Sequence, residues 1–130
     1  MDMTQYKTRI RDNFFATEGG DKLKDGSVRV CGGRIAIADA KRATKDKALQ
    51  VEIMLYYIQT CIDFCRKHGY NQKVYSSMLT VFKQIAGVVV KGGKDFFDAV
   101  REDLHGTITQ LEDGDVKDSI MDIYVGLEGI

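Results

Sequence analysis

The 130-residue chain contains no proline. Proline stops helices more reliably than any other residue, so its absence lets long helices run and leaves the thirteen glycines as the main punctuation. Read with that rule, the apolar residues recur at helical spacing over most of the chain. Thr4 is placed to cap a first helix reaching about Phe15, with Tyr6, Ile10 and Phe14 on one face. A polar, glycine-containing connection, TEGGDKLKDGS, follows over residues 17–27.

The basic stretch DAKRATKDK (39–47) is expected to start the next helix, which runs to about His68 and stops at Gly69. Met54, Leu55, Ile58, Cys61, Ile62 and Cys65 form its apolar stripe, and Glu52, Gln59, Asp63 and Arg66 mark the other side. Arg66, Lys67 and His68 before Gly69 suit the negative end of a helix dipole and a left-handed cap. Asn71 is placed to cap a third helix with Val74, Met78, Phe82, Ile85 and Val89 on one face, ending near Lys91-Gly92-Gly93. A fourth helix is expected from Lys94 to Leu111, weakened by Gly106. The last follows the turn Asp113-Gly114-Asp115, with Asp115 as its cap and Val116, Ile120, Ile123 and Leu127 as its stripe.

One segment departs from this pattern. In VRVCGGRIAIA, residues 28–38, apolar side chains alternate with a period of two. With Gly32-Gly33 as a two-residue turn, Val28 pairs with Ile37, Val30 with Ile35, Arg29 with Ala36 and Cys31 with Arg34. That register gathers the valines and isoleucines on one face and turns Arg29 and Arg34 outward. An isolated hairpin is marginal in water, so its apolar face would have to lie on the helices. The expected fold is therefore mainly α: a single domain over residues 1–130, built as a four-helix up-and-down bundle with an N-terminal helix and one β-hairpin packed on it.

A chain of this length buries a real core without disulfides or metal. Its 44% apolar and 29% charged residues are those of an ordinary globular protein. No apolar run is long enough to cross a bilayer, and the N-terminal residues lack a secretory h-region. Three cysteines without framework spacing point to free thiols in a reducing compartment, and so to a cytoplasmic protein. Formal charge sums to zero, yet residues 1–93 carry 16 basic against 9 acidic side chains and residues 94–130 carry 3 against 10. Such a dipolar chain can orient a partner, or a copy of itself, electrostatically; a salt-bridged surface within one fold is the plainer reading.

Several residues have the chemistry for a site. Cys61, Cys65 and His68 lie at i, i+4 and i+7 on one helical face, and Cys31 would complete a four-ligand zinc set. The spacing lacks a Cys-x2-Cys knuckle, and core packing of the two helical cysteines is the simpler account. Cys31, flanked in the hairpin by Arg29 and Arg34, is a candidate reactive thiol, although no histidine motif accompanies it as a base. Gly92-Gly93-Lys94 superficially resembles a phosphate loop but lacks its length and its terminal Lys-Ser/Thr, so a helix junction explains it better. Asp98 with Glu102, and Asp115 with Asp118, sit at helical spacing on charged faces where nothing desolvates one carboxylate of a pair.

No catalytic constellation is present in the sequence, and no cofactor is implied. The expected function is that of a small intracellular, non-enzymatic protein-interaction module: a regulator, adaptor or inhibitor of the sort that viruses and mobile elements encode. It would bind another protein or itself through the charge-polarised surface and the hairpin. The competing expectation is nucleic-acid binding through Arg29, Arg34, Lys41, Arg42, Lys45 and Lys47, with a steep salt dependence.

Overall fold

The computed structural model describes residues 3–19, 37–38, 40–42 and 44–130, and the side chains of 3–11 within the first of these stretches. Four helices make up most of it: α1 (Thr4–Gly19), α2 (Lys47–His68), α3 (Gln72–Ile108) and α4 (Asp115–Glu128). They pack as a helical bundle, with α3 against both α2 and α4, and α1 against α2.

The boundaries follow from local chemistry. Asp46 caps α2, its carboxylate accepting from the backbone N–H of Ala48 at 2.9 Å and of Leu49 at 3.3 Å. The helix therefore begins at Lys47, later than the basic stretch 39–47 suggests, because residues 44–46 form a capping turn in which Thr44 Oγ1 accepts from the Asp46 N–H. It closes at Gly69, whose N–H donates to the Cys65 carbonyl; φ 92 and ψ 168 make this an extended conformation at positive φ rather than the left-handed helical cap. Asn71 caps α3 as its sequence position implies, accepting from the N–H groups of Lys73 and Val74. Asp115 does not cap α4. Gly114 takes that position, without a side-chain cap, and Asp115 lies in the first turn with Asp118, where carboxylates face the positive end of the dipole.

Over its range α3 is two helices. Gly93 breaks it with φ 84 and ψ −175, and the chain folds back there into an N arm (72–92) and a C arm (94–108). The return is proved at the far end, where the Tyr75 hydroxyl accepts from the Glu112 backbone N–H at 3.0 Å; a straight helix would hold residues 75 and 108 roughly 50 Å apart. The two glycines have separate jobs. Gly93 supplies a backbone conformation that side chains rarely adopt, and Gly92 leaves room for Phe96, whose side-chain atoms would lie 2.5–2.7 Å from a Cβ placed there.

Directions then follow. The Tyr57 hydroxyl meets Ser77 Oγ at 2.6 Å, aligning α2 antiparallel to the N arm. The C arm runs back parallel to α2 until Gln110 meets Gln59. α4 returns along the C arm, with Tyr124 against Phe97 and Arg101 3.7 Å from Glu128. Tyr57, Phe82, Phe97, Ile53, Met54, Ile85 and Leu104 are among the largest fully buried side chains of the core between them. Because α2 has α1 on one side and the N arm on another, it buries more than its single expected stripe: Val51, Ile53 and Tyr57 are enclosed as well.

The β-hairpin expected over 28–38 is not found. Ile37 and Ala38, assigned to its second strand, are helical, as are Ala40, Lys41 and Arg42, and no strand occurs among the described residues. Residues 28–36, including the Gly32-Gly33 turn, lie outside the described residues. The alternation misleads at Ile37 and Ala38 because alanine, the strongest helix former, occupies positions 36, 38 and 40 of the sequence. Ile37 and Ala40, half-buried and buried, stand three apart as a helix face requires, and Lys41 and Arg42 are exposed.

Candidate functional site

Charge is segregated by the turn at Gly93. The N arm of α3 carries Lys73, Lys83 and Lys91 and no carboxylate, and all three lysines are exposed. The basic stretch before α2 joins it: Lys41 Nζ donates to Gln84 Oε1 of the N arm at 2.9 Å. Arg42, Lys45 and Lys47 are exposed beside this anchor. Arg29 and Arg34 lie outside the described residues, so four of the six basic positions singled out in the sequence have a place in the fold. Beyond Gly93 the sign reverses. Every one of the ten carboxylates in residues 94–130 is exposed, with Asp95, Asp98 and Glu102 in a row on the C arm and Asp115, Asp118 and Asp122 in a row on α4.

The second feature is an open groove of about 790 Å³ between α2 and the C arm, with the start of α1 along its upper edge. Leu55 and Tyr56 from α2 and Phe96, Ala99 and Val100 from the C arm supply apolar lining. Glu52 stands on one wall and Glu102 and Asp103 on the other. Lys7 is the basic side chain in the lining, and its ammonium sits 5.4 Å from the centre of the Tyr56 ring. Gln59 and Gln110 close the lower end with reciprocal amide hydrogen bonds of 3.1 and 2.9 Å, and Arg66 donates to the same Gln110 oxygen.

Sequence reasoning missed this groove, yet a signal for it exists. Tyr56-Tyr57 and Phe96-Phe97 are adjacent aromatic pairs, and neighbours on a helix point about 100° apart. Only one of each pair can enter the same core. Tyr57 and Phe97 do so, and Tyr56 and Phe96, half-buried, line the groove.

The thiols are placed differently from the zinc scheme. Cys61 and Cys65 are buried in the core, whereas His68 is exposed with its ring 4.6 Å from that of Phe64. Cys31 lies outside the described residues. Among the described residues no group of three histidine, cysteine or acidic side chains is arranged to hold a metal ion. Burial pushes the Cys61 thiol up to about 12, against a smaller opposing effect from its hydrogen bond with Tyr57, and burial raises Cys65 as well. Neither is a nucleophile at neutral pH in this state. The pairs Asp98–Glu102 and Asp115–Asp118 are exposed on their helices, where water screens one carboxylate from the other.

No protein-family model, curated protein or solved structure matches the chain. Among the described residues no helix is long and apolar enough to cross a membrane.

Proposed function

We propose that the protein is a non-enzymatic interaction module whose charge-polarised surface recognises another protein or a second copy of itself. One observation carries this reading. The chain reverses direction at Gly93 and changes its charge at the same point, so the N arm presents exposed Lys83 and Lys91, joined by Lys41, and the C arm and α4 present exposed carboxylates. Oppositely charged patches of this kind steer encounter and select register, and they are screened by salt.

The test is capture of partners from native lysate by the immobilised protein and by two charge reversals, Lys83→Glu with Lys91→Glu, and Asp98→Lys with Asp118→Lys. Light scattering on the free protein reports self-association. A protein held at low salt and lost with at least one reversal supports the reading, and so does a salt-sensitive oligomer. Capture of nothing by a strict monomer, or capture indifferent to salt and to both reversals, overturns it.

A second reading, nucleic-acid binding, is favoured by the Lys41–Gln84 bond, which sets a basic stretch beside a helix free of carboxylates. Phosphate contacts need no more than such a surface. Replacing Arg29, Arg34, Lys41 and Arg42 by Ala would then abolish a salt-sensitive gel shift of DNA or RNA. Absence of any shift with the unaltered protein removes this reading.

A further inference from the structure

We infer that the groove between α2 and the C arm of α3 seats a basic amphipathic helix of a partner protein. The inference rests on the interaction-module reading and names its occupant.

Both long walls of the groove are helices whose backbone groups are already paired within themselves. They offer no N–H or C=O row to an extended peptide, so addition of a strand is excluded as the mode of binding. A helix satisfies its own backbone and needs only a complementary side-chain surface. Length agrees with this. On α2 the lining runs from Ala48 to Glu52, Leu55 and Gln59, one face of the helix and roughly 16 Å of its axis, which is about three turns of a docked helix. The Gln59–Gln110 pair ends the groove at that point, because each amide is satisfied by the other and forms a polar stop.

Chemistry selects the occupant further. Leu55, Tyr56, Phe96 and Ala99 ask for apolar side chains at i, i+3 or i+4, and i+7. Glu102 with Asp103 on the C-arm wall ask for lysine or arginine on the flank that faces them, whereas Glu52 on the α2 wall has Lys7 beside it. Lys7, the cation in the lining, is held over Tyr56 at the α1 edge, leaving the opposite wall acidic. A partner helix with an acidic flank there would meet those two carboxylates; one with a basic flank pairs with them.

The test uses two fluorescein-labelled helical peptides of about 14 residues with the same leucine stripe, one flanked by lysine and the other by glutamate. Fluorescence anisotropy measures their binding to the unaltered protein, to Ala99→Trp, which fills the groove from an exposed position, and to Glu102→Lys with Asp103→Lys. Circular dichroism verifies that each variant is folded. The lysine peptide is expected to bind at least about tenfold more tightly than the glutamate peptide at low salt, and to lose about tenfold with either variant. Equal binding of the two peptides, no binding of the lysine peptide, or affinity untouched by Ala99→Trp in a folded protein overturns the inference. A salt-sensitive dimer that Ala99→Trp dissociates also overturns it, by making a second copy the occupant. Partner capture that depends on the charge reversals but not on Ala99→Trp would remove the groove while leaving the broader reading standing, and capture of nothing by the unaltered, strictly monomeric protein removes that reading instead.

Discussion

Cys61 is a cysteine whose chemistry is decided by its surroundings. Its side chain is fully enclosed, and burial moves its ionisation up to about 12 from an ordinary value of 9.0. The unfolded chain therefore loses the thiol proton above about pH 9 while the folded chain retains it. The stability this thiol contributes is complete below its unfolded pKa and is lost as pH climbs toward 12, at about 1.4 kcal/mol per pH unit. Cys65 and Tyr75, also raised by burial, act with the same sign. In reducing buffer the urea midpoint should fall from pH 8 to pH 10, and Cys61→Ala should lessen that fall by one group's share. A midpoint insensitive to pH over this interval would contradict the burial of these thiols. The sequence shows Cys61 and Cys65 as members of an apolar stripe, but the same spacing also fits ligands; only packing separates the two.

At the scale of elements, the diglycine at 92–93 matters more than any other pair. Gly93 occupies a region of backbone space essentially reserved for glycine, and Gly93→Ala is expected to cost about 1–3 kcal/mol. Gly87 is its control: it lies in the helical N arm with nothing within 4 Å of an added Cβ, so Gly87→Ala is expected to stabilise by up to about 1 kcal/mol. Opposite signs in thermal or urea unfolding of the two variants check the hairpin at Gly93; equal effects would argue for a helix running straight through. The end of the third helix near Gly92-Gly93 and its cap at Asn71 were legible because glycine and asparagine act through their own backbone and side chain. The segment at 37–42 was not. Isoleucine and alanine alternate only over 35–38, too short a run to fix a period, and the buried Ala40 shows that contact with the bundle decides.

For the molecule as a whole, α3 is the hub, packing on α2 and α4, whereas α1 is held by α2 alone among the described helices. Cooperative unfolding should therefore centre on α2, α3 and α4. Native-state hydrogen exchange is expected to show the amides of α1 opening at lower free energy than those of α2 and α3. Equal protection across all four helices would mean that α1 is tied into the bundle more widely than its contact with α2 implies. The same arrangement explains why the groove was hidden. Its walls, residues 48–59 and 96–110, are about forty residues apart in the chain and become parallel neighbours only because the chain turns at Gly93.

Helical content, several helix ends and the break in charge near residue 93 were determined by the sequence itself, since propensity, capping and charge are local properties that each residue carries with it. The direction of the C arm, the burial that silences two thiols, the helical state of Ile37 and Ala38 and the acidic groove were decided only by tertiary structure. Each depends on which distant surfaces meet, and burial energy, unlike propensity, exists only once they have met.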